Sequence, residues 1–113
     1  MTIEEYLIAY LKSKLTPNVS GSVPHPMPAQ FITVEKTGER VASRIPTAQI
    51  HVKSWSTSRD AADQLNELVK TAMLGAVENA EISHVDLDAS YNNPDQSAGK
   101  PRYSAAFSVT YLF

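Results

Sequence analysis

The chain has 113 residues, of which 42% are hydrophobic, carries a formal net charge of -2 and contains no cysteine. This length forms a single domain, residues 1–113, which buries about two-thirds of its unfolded surface without a metal or disulfide staple. The missing cysteines exclude thiolate catalysis and cysteine-ligated zinc, and the slightly negative charge argues against a dedicated nucleic-acid binder. We see no signal-peptide pattern and no run of the ~20 apolar residues that a membrane span needs, so we expect a soluble, intracellularly made protein.

The N-terminal segment predicts a helix. Thr2 and Glu5 have the spacing of a capping box, in which the threonine hydroxyl accepts from the N3 amide and the glutamate reaches back. Pro17 stops this helix. Its apolar residues recur at helical spacing: Ile3, Tyr6, Leu7, Tyr10, Leu11 and Leu15.

A short extended segment and a first core strand follow. Val19–Val23 is expected to be extended, and Pro24–Pro28 contains three prolines, which predict a stiff exposed connection. Phe31–Thr37 alternates like a strand, and Gly38 is expected to mark the next turn. Glu39–Pro46 has a weaker pattern, and is either the outer half of a hairpin or a long loop.

The central stretch predicts a strand and the best amphipathic helix of the chain. Ala48–Trp55 alternates, with Trp55 as an anchor at the edge of the core. Ser58 is a good N-cap, and Gly75 is placed to end the helix in a left-handed cap. Asn66 falls on the polar side, and the predicted buried side is Ala61, Ala62, Leu65, Leu68, Val69, Ala72 and Met73.

Two more strands close the chain, separated by a segment rich in turn residues. Ile82–Tyr91 and Arg102–Phe113 alternate, whereas Asn92–Pro101 combines asparagine, glycine and proline and predicts a mobile loop. In the first strand, Val85, Leu87, Ala89 and Tyr91 are expected on the core side. The last strand is apolar enough to lie inside the sheet.

This order of elements predicts an α+β two-layer sandwich, a mostly antiparallel mixed sheet of four to five strands with two helices on one face. The opposite face of the sheet is then polar or small in character, and is either bare to water or a surface for protein contacts. Its predicted members are Gln49, His51, Lys53, His84, Asp86, Asp88, Ser104, Ala106, Ser108 and Thr110.

Few residues suggest chemistry. His84, Asp86 and Asp88 share a strand face with His51 on another strand, a set that either binds a divalent metal in a small hydrolytic enzyme or is simply a solvated face. No nucleophile elbow or glycine-rich phosphate loop is present. Arg40 and Arg44, with Lys36 nearby, form either a solvated hairpin or a nucleic-acid contact. We therefore expect no catalytic residue, no cofactor and no bound metal.

Several segments of the sequence resemble the small tail terminator, or tail completion, proteins of long-tailed phages and prophages. They are Val23–Pro28, Phe31–Gly38, the strand-to-helix passage Ile50–Leu65, Pro101–Tyr103 and the terminal strand. The resemblance covers most of the chain, including its length and order of elements.

The resemblance implies a structural, non-enzymatic virion protein at the tail-neck junction, assembled in the bacterial cytoplasm. Such proteins form a ring, commonly hexameric, on the last ring of the tail tube, stop its polymerisation, and present a surface to the head-completion complex. DNA passes through the lumen without sequence recognition. A head-completion or connector protein of the same neck region is the alternative. The candidate contact residues are Arg40, Arg44, Gln49, His51, Lys53, Asn93, Asp95 and Lys100.

Overall fold

The computed structural model describes residues 1–113. In chain order, the elements are α1 (Ile3–Lys14), β1 (Asn18–Ser20), β2 (Phe31–Ala42), β3 (Ile45–Trp55), α2 (Arg59–Leu74), a 3-10 helix (Gly75–Glu78), β4 (Ile82–Asn92) and β5 (Arg102–Tyr111). None of the helices is both long and apolar enough to cross a membrane.

The five strands form one sheet in the order β1-β2-β3-β5-β4. Only the β1–β2 pair is parallel, and the other three pairs are antiparallel. Both helices contribute buried residues to one core that also contains alternate residues of every strand, so the helices lie on the same face of the sheet. The predicted α+β fold, with two helices on one face of a mixed sheet, is confirmed.

Helix α1 begins and ends close to where the sequence predicts. The Thr2 hydroxyl accepts from the Glu5 amide at 3.1 Å, and the Glu5 carboxylate accepts from the Thr2 amide at 3.0 Å, which completes the capping box. Ile3, Leu7 and Leu11 are buried. These three residues lie on one helical stripe because they are spaced by four, which docks α1 on β1 and β2.

Helix α2 has the predicted N-cap but a different buried face. The Ser58 hydroxyl accepts from the Ala61 amide at 3.1 Å. Leu68, predicted to be buried, is 56% exposed, whereas Asn66, predicted to face solvent, is 1% exposed and donates to Ser90 at 2.8 Å. The Asn66 side of the helix therefore faces β4, where the Ser90 hydroxyl accepts its hydrogen bond. Leu68 is left at the rim of the groove between the helices.

The predicted left-handed cap at Gly75 is wrong. Gly75 has φ -74° and ψ -11°, which is right-handed, and the chain continues directly into the 3-10 helix. Ala76 within that turn is fully buried in the core. Continued right-handed winding is what brings this residue inward, so the helical segment ends at Glu78 instead.

The turn predicted at Gly38 is also wrong. Strand β2 passes through this position with a bulge between Lys36 and Gly38, and continues to Ala42. The reversal falls at Ser43 and Arg44, with φ values of 52° and 67°. Two consecutive positive φ angles are typical of the two-residue turns that match the twist of a hairpin. Of the two alternatives for Glu39–Pro46, the hairpin is therefore correct.

Strand β4 departs from simple alternation because it is bulged twice, between Ile82 and His84 and between Leu87 and Ala89. A bulge inserts one extra residue and exchanges the two faces of the strand beyond it. Ala89 and Tyr91, predicted on the core side, consequently share a face with Ala106 and Ser104, opposite the helices. Tyr91 is 44% exposed there.

Candidate interaction surface: the open face of the sheet

The face of the sheet turned away from both helices is called the open face below. Neighbouring residues on β3 and β5 pair across it, as Gln49 with Ser108, His51 with Ala106, and Lys53 with Ser104. The structure therefore brings together the β3 and β5 residues that the sequence assigns to one face. Its members are Phe31, Thr33, Glu35, Arg40, Thr47, Gln49, His51, Lys53, Trp55, His84, Asp86, Ala89, Tyr91, Arg102, Ser104, Ala106, Ser108 and Thr110, and Asp88 reaches it from the bulge.

Short polar side chains join the strands along the middle of this face. The Ser108 hydroxyl lies 2.6 Å from the Asp88 carboxylate and 3.3 Å from the Gln49 amide oxygen, and its single proton goes to the closer acceptor. The hydroxyls of Thr47 and Thr110 lie 2.9 Å apart. These contacts hold the side chains close to the backbone of the sheet, so the middle of the open face is polar and these side chains do not project from it.

One end of the open face is covered by an aromatic cluster that sequence reasoning missed. Phe31 and Trp55 are register partners, their rings stack with centroids 4.9 Å apart, and both are buried although they lie outside the main core. The Arg102 guanidinium lies 4.8 Å from the Trp55 ring. The indole N–H donates to the Thr33 hydroxyl at 3.4 Å. The sequence does contain a signal for this cluster: Phe31 and Trp55 are separated by even numbers of residues from the polar residues of their strands, and therefore lie on the same face as those residues.

Beside this cluster is a polar cleft of about 450 Å³. The chain after β1 forms one wall through Gly21–Val23, and the open face forms the floor. Asp95, a predicted contact residue, lies on the opposite wall with Ser97, and Lys53 contributes to the floor. Two of the candidate contact residues therefore meet at this end of the sheet.

Asn93, Asp95 and Lys100 belong to a hydrogen-bonded hairpin end, in the segment where the sequence predicts a mobile loop. Asp95 and Lys100 exchange two backbone hydrogen bonds, of 3.0 and 3.1 Å. The Asp95 carboxylate accepts from the Ser97 hydroxyl and from two backbone amides, which lowers the pKa of this carboxyl. Asn93 donates to Ser104 at 2.9 Å. Asn93 and Asp95 thus hold the shape of the hairpin.

Arg40 and Arg44 lie at the opposite end of the sheet. Arg40 pairs with Thr47 near the end of β2, and Arg44 is in the β2–β3 turn. Both are exposed, and neither takes part in an ion pair within the chain. Val41, between them, is 63% exposed. This end therefore presents free positive charge beside an uncovered apolar side chain.

The set of residues considered for metal binding is only partly brought together. His84 Nε2 and Asp86 Oδ1 are 3.0 Å apart. His51 pairs with Ala106, and β5 separates its strand from β4. No group of three or more histidine, aspartate or glutamate side chains is arranged to hold a metal ion.

Tyr111 connects the end of β5 to the base of the projecting β2–β3 hairpin. Its hydroxyl donates to the Glu39 carboxylate. Burial and this neighbouring negative charge raise the pKa of Tyr111 to about 12, from an ordinary value of 10.0. The hydrogen bond from Tyr111 lowers the pKa of Glu39. The contact thus requires a neutral phenol facing an ionised carboxylate.

We expect the stability of the protein to fall between about pH 10 and pH 12. The phenol ionises more easily in the unfolded chain, so its contribution is complete below pH 10 and is lost as the pH rises through its folded-state pKa. The Tyr111→Phe variant should show a smaller fall in the free energy of unfolding over this range, measured by urea denaturation. Part of the fall should remain, because the pKa values of Tyr6 and Tyr10 are also raised by burial. Equal slopes for the two proteins would contradict the assignment.

No protein-family model matches the chain, and no curated protein is significantly similar to it.

Proposed function

We propose that this protein is a tail terminator of a long-tailed phage or prophage, located at the tail-neck junction of the virion. The observation that carries the proposal is the open face, a sheet surface of small and polar side chains opposite the two helices. A ring subunit needs a surface of this kind, because its helices stabilise the fold from one side and leave the other side for the lumen or for a partner. The segments of the sequence that resemble tail terminators support the same function.

The charges of the open face suit a conduit for DNA. Lys53, Arg40 and Arg102 are balanced by Glu35, Asp86 and Asp88, so this face has no excess of positive charge. Because affinity for nucleic acid grows with the number of phosphates neutralised, such a surface holds DNA weakly and lets it pass. The lumen then contacts DNA without recognising its sequence.

The two hairpin ends suit two different partners. A ring uses a heterologous interface, and its two rims differ because no two-fold axis relates them. With the strands parallel to the ring axis, Arg40 and Arg44 lie at one rim, and Asn93, Asp95 and Lys100 lie at the other. One rim then binds the tail tube and the other binds the head-completion complex.

Deletion of the gene from the parent phage tests this proposal. We expect overlong tails without heads in electron micrographs of the lysate, and normal particles when the gene is supplied in trans. Tails of normal length beside heads that leak DNA would instead indicate a head-completion protein. Normal particles in the deletion strain would contradict both functions.

A further inference from the structure

The sheet has two free edges, which lie on opposite sides of the subunit. β4 is the last strand at one side, and it has no partner beyond it. At the other side, β1 covers β2 only along Phe31–Thr33, and the Glu4 carboxylate accepts from the Lys36 amide at 2.8 Å. Beyond this point the outer side of β2, the side away from β3, has no neighbouring strand from Gly38 to Ala42. Free strand edges carry unpaired backbone donors and acceptors, which is why they pair readily with another chain.

The directions of the two edge strands are compatible. β2, β3, β5 and β4 alternate in direction across the sheet, so β4 and β2 run in opposite senses. Rotation about an axis parallel to the strands preserves these senses. Placing β4 of one copy beside β2 of the next therefore continues the antiparallel pattern.

The unpaired segments of β2 and β4 also lie at the same level along the strand direction. One row across the sheet runs through Gly38, Gln49, Ser108 and Asp86, and the adjacent row on the same face runs through Arg40, Thr47, Thr110 and His84. Cyclic symmetry includes no translation along its axis, so each row of one copy meets the same row of the next when the strands follow the axis. Arg40 then lies directly opposite His84 and diagonally opposite Asp86.

The charges on the two edges select this pairing over its competitors. On the open face, β4 carries Asp86, with Asp88 in its bulge, whereas the free part of β2 carries Arg40, which has no ion-pair partner in the chain. Pairing β4 with a second β4 brings carboxylates together, and pairing β2 with a second β2 brings arginines together. Like charges opposite each other destabilise a sheet, and opposite charges stabilise it.

We propose that β4 of one copy pairs in the antiparallel sense with Gly38–Ala42 of the next copy, with Arg40 opposite His84 and diagonal to Asp86, and that this contact joins the subunits into a ring. The inference rests on the proposed function in assuming a closed ring, and it names the subunit contact. On the helix-side face, the same contact places Glu39 of β2 opposite Val85 of β4 and the exposed Val41 side chain diagonally next to Val85. A heterologous contact of this kind excludes a two-fold dimer, and it closes into a ring when the rotation between neighbouring subunits divides a full turn evenly.

Disulfide trapping tests the contact, because the chain has no cysteine of its own. We would combine Arg40→Cys with His84→Cys in one chain, and Arg40→Cys with Asp86→Cys in another. Disulfides form when the Cβ atoms approach to about 3.5–4.5 Å, so one of these pairs should cross-link under mild oxidation into a ladder that ends at a closed oligomer.

The single variants separate the possible pairings. Arg40→Cys alone and Asp86→Cys alone should not form cross-links. When one double variant cross-links, its two cysteine substitutions can be placed in separate chains, and a mixture of those chains should give dimers only. Cross-linking of either single variant with itself would show a two-fold contact and overturn the proposal. Failure of both double variants to cross-link, with rings still seen by electron microscopy, would overturn the edge contact and leave the proposed function standing. A protein that stays monomeric even with tail tubes present would overturn both.

Charge reversal provides a second test. Arg40→Asp or Asp86→Arg alone should weaken association roughly tenfold, as measured by light scattering over a concentration series, and the double reversal should restore it. Asp63→Arg is the matched control, because Asp63 is exposed on α2, which packs on the opposite face of the sheet from Arg40 and Asp86, and the charge change is the same. Loss of association in the control equal to that in Asp86→Arg, or no recovery in the double variant, would contradict the proposed pair. Circular dichroism would verify that each variant is folded.

Discussion

Replacing Trp55 by alanine should cost about 3 to 5 kcal/mol of unfolding free energy, among the largest effects expected in this chain. The indole is 2% exposed, and it stacks on Phe31 under the Arg102 guanidinium. Its removal leaves a cavity on the open face and exposes Phe31, which has no access to the main core. Chemical denaturation followed by circular dichroism measures the loss.

Two comparisons make this prediction specific. Trp55→Phe keeps a stacked ring, and should lose less stability than Trp55→Ala. Tyr91→Ala removes an aromatic ring from the same face, but this ring is 44% exposed, so the change should stay within about 0.5 kcal/mol. A loss below about 1 kcal/mol for Trp55→Ala would mean that the aromatic cluster is not packed as described.

Leu65→Ala and Leu68→Ala should differ sharply, although the two residues are neighbours on α2 and alike in type. Leu65 is 2% exposed and belongs to the core, so its truncation should cost about 2 to 5 kcal/mol. Leu68 is 56% exposed, so its truncation should cost no more than about 0.5 kcal/mol. Urea denaturation of the two variants beside the parent protein gives both values.

The same two variants distinguish a residue that stabilises the subunit from one that contacts a neighbouring subunit. Leu68 lines a groove of about 320 Å³ between the C-terminal end of α1 and the side of α2. If Leu68→Ala folds normally but no longer forms rings, this groove is an interface, and subunits contact one another through the helices as well. Equal losses of stability for the two variants would contradict the orientation of α2.

The helices and β5 were predictable because their signals are local. A capping box needs only Thr2 and Glu5, an N-cap needs only Ser58, and the alternation of β5 is unbroken from Ala105 to Tyr111. Each of these patterns depends on backbone geometry within a few residues. The structure confirms all of them.

The candidate surface was predictable where strands are regular and not where they are bulged. Gln49, His51 and Lys53 share a face with the small residues of β5, as alternation requires. Beyond Leu87 the prediction fails, because a bulge is a property of strand pairing and exchanges the faces of the residues that follow it. Whether these surfaces contact a ring neighbour, the tail or the head stays a prediction.

The sequence by itself determined the class of fold, the positions of most elements and the polar character of one face of the sheet, because these depend on periodicity and on local hydrogen bonds. Only the tertiary structure decided where β2 reverses, which side of α2 is buried and which strand edges are free. Those features depend on contacts between residues that are distant in sequence. Asn66 donates a hydrogen bond to Ser90, and Phe31 stacks on Trp55. The Glu4 carboxylate accepts a hydrogen bond from the Lys36 amide. No local pattern encodes such pairs, since their energies appear only after the strands and helices have come together.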